Sequence, residues 1–167
     1  EAVANEEFIK EKVLMKRMAE GRIVIPVSSA HRNIKSIGIG EGLKTKINAN
    51  IGSSPSKADV AYELENLKAA IDAGADTIMD LSTGGDIDLI KREIIQNSTI
   101  PVGTGPIYQA AVEKNTIVDL TAEDMIKGIK KHIEDGVDFI TVHCGVKREF
   151  TKMLKKRVMG VVSRGGS

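Results

Sequence analysis

The feature that most constrains the fold is a five-residue echo. Gly74-Ala75-Asp76-Thr77-Ile78 is answered by Gly136-Val137-Asp138-Phe139-Ile140, 62 positions later. In each copy the glycine suits the left-handed residue that ends a helix, the aspartate suits a turn, and an apolar strand begins. An interval of 62 holds two strand–helix units of about 30 residues each. Strand–helix alternation implies an α/β fold with a parallel sheet.

The remaining punctuation supports that reading. Strands are expected at Lys46–Asn50, Thr77–Leu81, Ile100–Gly103 and Val137–His143, with a fifth starting at Met159–Val162. After a Ser56/Asp59 capping pair, Val60, Leu64, Leu67 and Ile71 recur at helical spacing. Ile87, Ile90 and Ile94 mark a second helix beginning near Asp86. Thr121 caps a third helical region whose apolar face is Ile126, Ile129 and Ile133, and Lys152–Arg157 lies on a fourth. Ahead of these units, Asn5 caps a helix with Phe8, Ile9 and Val13 on its stripe and Gly21 as its stop. Arg22–Pro26 is a short strand, and residues 27–44 read as loop. The chain thus divides into an N-terminal helix–strand appendage, residues 1–44, and a repeating part, residues 45–167.

Strand parity selects among α/β folds. Ile47 and Ala49 oppose Asn48 and Asn50, and Ile140 and Val142 oppose Thr141 and His143. A doubly wound sheet is covered by helices on both faces, and both would be apolar. A (β/α)8 barrel of the TIM type keeps its helices outside and allows polar residues inside, near the carboxyl ends of the strands. A full barrel takes about 250 residues, so five strands amount to its first part. The chain starts at Glu1 without Met and stops after Ser163-Arg164-Gly165-Gly166-Ser167, so both ends are expected to be cut.

Charge and composition exclude several functions. With 24 basic and 23 acidic residues the net charge is +1, which excludes a polybasic nucleic-acid or membrane binder but leaves room for a local basic pocket. No apolar run approaches the roughly 18 residues of a membrane span. The single cysteine, Cys144, allows no internal disulfide and fits a reducing cytoplasm.

Chemistry-bearing residues gather at the expected strand ends. Asn48 and Asn50 suit hydrogen bonding to a small polar ligand, or capping of the next loop. Met79 precedes Ser82-Thr83-Gly84-Gly85, a turn that offers backbone N–H groups to an anion or caps a helix. Tyr108 follows Gly103-Thr104-Gly105 and offers a hydroxyl and a ring face. His143 ends the fourth strand, but its neighbour Cys144 points to the opposite face, which argues against a Cys–His dyad and against zinc. Ser163-Arg164-Gly165 is a cationic loop suited to phosphate. Gly38-Ile39-Gly40-Glu41-Gly42 lacks the spacing and the strand–helix context of a dinucleotide loop.

Taken in order, Asn48-Ala49-Asn50-Ile51-Gly52, Gly74–Gly84, Pro101-Val102-Gly103-Thr104, Pro106-Ile107-Tyr108-Gln109-Ala110, Gly136-Val137-Asp138-Phe139, His143-Cys144-Gly145-Val146 and Ser163-Arg164-Gly165-Gly166-Ser167 resemble the phosphomethylpyrimidine synthase family of thiamine biosynthesis. The resemblance implies a radical S-adenosylmethionine lyase on a (β/α)8 barrel. Its substrate would be 5-aminoimidazole ribonucleotide and its product the phosphorylated hydroxymethylpyrimidine. It implies Asn50, Met79, Tyr108, His143, Ser163, Arg164 and Gly165 as substrate-binding positions, a cytoplasmic location, and a homodimer for the full-length protein. It further implies a [4Fe-4S] cluster, S-adenosyl-L-methionine and zinc, whose ligands have no counterpart in these residues, and leaves the catalytic residues unassigned. Gly105 departs from the family, which usually has a bulkier residue there. Two other readings remain open: an enzyme making 5-hydroxybenzimidazole from the same ribotide, and a non-catalytic ribotide- or phosphate-binding module.

Overall fold

The computed structural model describes residues 1–114, 117–145, 147–160 and 162. Its first part is built from α1 (Ala2–Glu6), α2 (Glu11–Ala19), β1 (Ile23–Val24) and β2 (Ile39–Gly40). The single helix expected here is divided, and Asn5 lies within α1 instead of capping it. The break falls at Phe8, which takes a left-handed φ of 54°. Its side chain is 88% exposed, with the Lys44 ammonium over the ring. Gly21, at φ 71°, ends α2 as expected. β1 pairs antiparallel with β2, which lies inside the stretch expected to be loop. The pairing needs Gly40, because a Cβ there would stand 2.1 Å from the Arg22 carbonyl oxygen. Val3, Ala4, Leu14 and Ile23 form a small core beneath these elements.

The second part alternates strands and helices. β3 (Asn48–Ile51), α3 (Val60–Asp72), β4 (Thr77–Asp80), α4 (Ile87–Asn97), β5 (Val102–Thr104), α5 (Pro106–Lys114), α6 (Ala122–Glu134) and β6 (Phe139–Ile140) follow in order. The strands form one parallel sheet in the order β3-β4-β5-β6. Leu67, Ile90, Ile94 and Ile95 pack with Ile78, Val102 and Val137 into the main core. Helices α3 and α4 therefore cover the sheet face that carries Ile78 and Val102.

The echoed aspartates pin two of the three strand pairs of this sheet, β3–β4 and β5–β6. Asp76 Oδ2 accepts the Ile47 N–H at 2.7 Å, just ahead of β3. Asp138 Oδ2 accepts the Val102 N–H of β5 at 2.8 Å. Each turn thus bonds the edge of the strand beside its own. Asp138 does more: its Oδ1 accepts the Ser28 N–H at 2.7 Å, and Oδ2 meets His31 Nδ1 at 2.7 Å. His31 Nε2 donates to the Ser98 carbonyl at 3.0 Å. The N-terminal segment is therefore bonded to the strand-entry side of the sheet. Gly74 and Gly136 take φ values of 89° and 91°, the left-handed helix stops expected of them.

Several expected elements differ. Asp59, not Ser56, caps α3, accepting from the Ala61 and Tyr62 N–H groups. Asp86 caps α4, and Thr121 with Asp124 forms a capping box on α6. The third helical region is α6, and a further helix that was not expected, α5, precedes it with a short 3₁₀ turn at Ile117–Asp119 between them. Ile126 and Ile133 do not form a buried face; they are 54% and 58% exposed. α6 instead meets α5 through Gly128, where a Cβ would lie 3.7 Å from the Pro106 carbonyl oxygen and 3.9 Å from Ala110. Small residues permit that approach, so the larger isoleucines turn outward. The fourth helix is a 3₁₀-helix over Arg148–Lys156. Of the fifth strand, Met159, Gly160 and Val162 belong to no strand, and Val161 lies outside the described residues.

Asp138→Ala removes a fully buried carboxylate and leaves the Val102 and Ser28 N–H groups and the His31 ring without it. It should cost about 3–5 kcal/mol of stability by urea unfolding. Asp76→Ala removes one bond and should cost about 1 kcal/mol. Equal losses for the two variants would contradict this account of the echo.

Candidate ligand-binding face

Parallel register places laterally paired residues on the same face. Asn50 pairs with Met79, Met79 with Gly103, and Gly103 with Phe139. This row, with Asn48 and Thr77 below it, lies opposite the helix-covered face. The polar–apolar parity of β3 expected from sequence is thereby observed: Ala49 and Ile51 pack on the core. A hollow of about 570 Å³ lies over this face, between residues 39–40 and 43–46 on one side and Asn48, Thr77, Met79 and Phe139 on the other. Asn50 borders a separate hollow of about 640 Å³ along the outer edge of β3, with Gly52, Lys57, Glu63 and Thr83.

Asn50 is held by a short polar chain. Thr77 Oγ1 donates to Asn48 Oδ1 at 2.9 Å, and Asn48 Nδ2 donates to Asn50 Oδ1 at 2.8 Å. Gly52 turns the chain away at φ 138°, where a Cβ would stand 2.6 Å from the Ser82 nitrogen. Buried Glu63 fixes that turn by accepting the Gly52 N–H at 3.0 Å.

Met79 forms the apolar part of the face. Gly103 beside it has no side chain, and a Cβ there would fall 2.2 Å from the Phe139 ring. The bare strand lets residues of β6 lean over β5. Thr141, one residue past β6, reaches the Met79 sulfur with its hydroxyl at 3.8 Å. Strand parity had placed Thr141 on this face with His143; sequence reasoning missed Phe139 as a member of it.

Tyr108 sits in the first turn of α5, half-buried, its N–H bonded to the Gly105 carbonyl at 3.1 Å. A Cβ at Gly105 would come within 2.8 Å of the Tyr108 ring and 3.4 Å of Leu81. Glycine at this position therefore lets the ring lie close on the chain. His143 lies beyond the end of β6 and is exposed. Ser163, Arg164 and Gly165 lie outside the described residues.

The Ser82–Gly85 turn differs from its anion-seat expectation. The Ser82 N–H donates to Asp80 Oδ1 at 3.0 Å, and the Thr83 N–H donates to the Ser53 carbonyl at 2.9 Å. Two of its donors are thus used within the fold. Burial raises the Asp80 carboxyl, against the pull of the Ser82 bonds, and nearby Glu63 adds to the rise. This carboxyl lies on the helix-covered face, away from Met79.

Among the described residues, no three His, Cys, Asp or Glu side chains are grouped so as to hold a metal ion, and Cys144 is exposed. His31 and His132 are each engaged elsewhere. His132 is buried, with Nδ1 2.7 Å from Thr104 Oγ1 and Nε2 2.9 Å from Gln109 Oε1.

The sequence model of the radical SAM ThiC family matches residues 1–167. Phosphomethylpyrimidine synthases are among the chain's relatives: 50% identical in Desulforamulus reducens over 99% of this chain and 40% of that protein, and 52% identical in Caldanaerobacter subterraneus subsp. tengcongensis over the same shares. That of Moorella thermoacetica is 50% identical over 100% of this chain and 40% of its own length. The chain spans about 40% of the length of these curated relatives.

The buried histidine generates a pH test. Burial pushes the His132 imidazole down to about 4, and the Lys91 cation pushes it the same way. Between about 4 and 6.5 the unfolded chain binds a proton that the folded chain refuses. Stability therefore rises with pH across that window and is lost on acidification through it. The loss should be on the order of a few kcal/mol. His132→Gln removes the titrating group and should flatten the curve. The same urea midpoint at pH about 6.5 and about 4.5 in the parent protein would contradict a buried neutral imidazole.

Proposed function

The chain belongs to the radical SAM ThiC family, and from that membership we propose that it is part of a phosphomethylpyrimidine synthase, a carbon–carbon lyase of thiamine biosynthesis. The observation that supports the ligand site is the row Asn50–Met79–Gly103 on the helix-free face of the sheet. In this reading the four parallel strands are the start of a (β/α)8 barrel. Residues 45–167 contribute barrel wall, residues 1–44 are an appendage against its strand-entry side, and the row faces the interior.

The substrate would be 5-aminoimidazole ribonucleotide. Its heterocycle needs an apolar wall and in-plane hydrogen-bond partners, and its phosphate needs a cationic seat. Met79 and the Phe139 ring supply the wall. Asn50 supplies an amide whose orientation is set by Asn48. Tyr108 and His143 supply further polar contacts at the strand ends, and Ser163-Arg164-Gly165 the cationic seat.

The cluster and zinc that the family implies do not fit the residues of this chain. A [4Fe-4S] cluster takes several thiolates, and Cys144 is the only cysteine. No chemical step is therefore assigned to Cys144. The part of these residues is to bind and orient the ribotide and to close the wall of the site against water. No helix among the described residues is long and apolar enough to cross a membrane. We read the protein as a cytoplasmic enzyme, a homodimer in its full-length form, that binds a small molecule and not nucleic acid.

In the full-length enzyme, Asn50→Ala and His143→Ala should each weaken ribotide binding about tenfold, the equivalent of about 1.4 kcal/mol. Iron content and the cluster's absorption should stay unchanged. Anaerobic turnover should yield the hydroxymethylpyrimidine phosphate. Recovery of 5-hydroxybenzimidazole would overturn the assigned reaction, and full turnover by the double variant would overturn the assigned site.

A further inference from the structure

A buried polar network lies under the turn that carries Tyr108, and its proton pattern is determined. Gln109 Nε2 donates to Asp88 Oδ1 at 2.8 Å and to Glu113 Oε1 at 2.9 Å. Carboxylates accept and do not donate, so the orientation of the Gln109 amide is fixed. Its Oε1 then accepts from Lys91 Nζ at 3.2 Å and from His132 Nε2 at 2.9 Å. His132 must therefore carry its proton on Nε2. In the neutral ring Nδ1 is an acceptor, and it takes the hydrogen of Thr104 Oγ1 at 2.7 Å. Lys91, fully buried, also pairs with Asp88 at 3.1 Å and Asp135 at 2.7 Å.

One imidazole therefore bonds both sides of a single turn. Thr104 ends β5, Gly105 is the residue on which the Tyr108 ring lies, and Gln109 follows Tyr108 in α5. Thr104, Gln109 and His132 are all buried. The hydroxyl, the amide and the ring have no other role on the ligand face, since Thr104 lies at the register of Asp80, on the helix side of the sheet.

We propose that His132 is a positioning residue, its imidazole stapling Thr104 to Gln109 and so setting where Tyr108 stands at the rim of the ligand-binding face. The proposal rests on the reading of Tyr108 as a ligand contact. It assigns a function to a histidine that lacks ligand spacing in the sequence, and to Thr104, inconspicuous within a glycine turn.

The test is a double-mutant cycle in the full-length enzyme, with 5-aminoimidazole ribonucleotide titrated calorimetrically at a temperature where every variant is folded by circular dichroism. Thr104→Val removes the hydroxyl and keeps the shape. It should weaken binding about tenfold, as a displaced contact does. Thr104→Ser keeps the hydroxyl and should bind like the parent. In a Tyr108→Ala background Thr104→Val should have no further effect, because the staple acts through Tyr108. Thr104→Ala, which also lacks the hydroxyl, replaces the valine variant if that one fails to fold. Unchanged binding by Thr104→Val, or an equal loss in the Tyr108→Ala background, would overturn the positioning role while leaving the ligand face standing. A Tyr108→Ala enzyme with parental affinity would overturn the reading of Tyr108 and the staple with it.

Discussion

Asp138 is bonded to three groups on two parts of the chain: the Ser28 N–H and the His31 ring of the N-terminal segment, and the first N–H of β5. Its counterpart Asp76 bonds the N–H just ahead of β3. Parallel strands cannot be joined by tight hairpins, so something other than a turn must fix where one strand begins beside the next. Here a carboxylate does so in two of the three helix-to-strand turns, at Asp76 and Asp138, while between β4 and β5 the Ile78 N–H bonds the Pro101 carbonyl. The consequence travels up the sheet. Once Asn48 stands opposite Thr77 and Ile78 opposite Val102, Asn50, Met79, Gly103 and Phe139 must share a row. A slip of one residue would turn that row into the helices.

The two faces of the sheet handle polarity differently. On the helix-free face the polar groups are strung along its surface, Thr77 to Asn48 to Asn50. On the helix-covered face they are buried and paired, with Lys91 among Asp88, Asp135 and Gln109. Three bonding partners overcome the burial of Asp88 and hold its carboxyl well below the usual carboxylate range: Lys131, Gln109 and Lys91. Loss of a member of such a network is costly, because each partner left behind would be a buried group without its bond. That makes it a rigid base for the β5–α5 turn, and a rigid base is what a precisely placed aromatic ring needs.

Much of this was legible in the sequence because it is written in local chemistry. Gly74, Gly136, Asp86 and Thr121 marked helix ends through the conformations and caps that those residue types favour, and the alternation Asn48-Ala49-Asn50 marked a two-faced strand. What escaped was set by contacts distant along the chain. β2 exists because Gly40 tolerates the Arg22 carbonyl at close range. The outward turn of Ile126 and Ile133 follows from Gly128 meeting α5, which helical periodicity does not encode. The helix expected at Lys152–Arg157 has the right pattern and a tighter geometry. On the ligand face, Asn50, Met79 and Tyr108 stood at strand ends and in recognisable motifs. Thr141 was placed by parity but its bond to the Met79 sulfur was not, and the parts of Phe139 and, on the other face, His132 were not legible, because they depend on an absent side chain at Gly103 and on the far ends of Thr104 and Gln109.

In the proposed reading the helix-free face of this sheet receives the ribotide. A crystal structure of the full-length enzyme with 5-aminoimidazole ribonucleotide tests it most directly. The heterocycle is expected against the Met79 side chain, with the Asn50 amide and the Tyr108 side chain within hydrogen-bond or van der Waals reach. Ligand density elsewhere, in the groove along the outer edge of β3 or among the helices, with Met79 left uncovered, would contradict it.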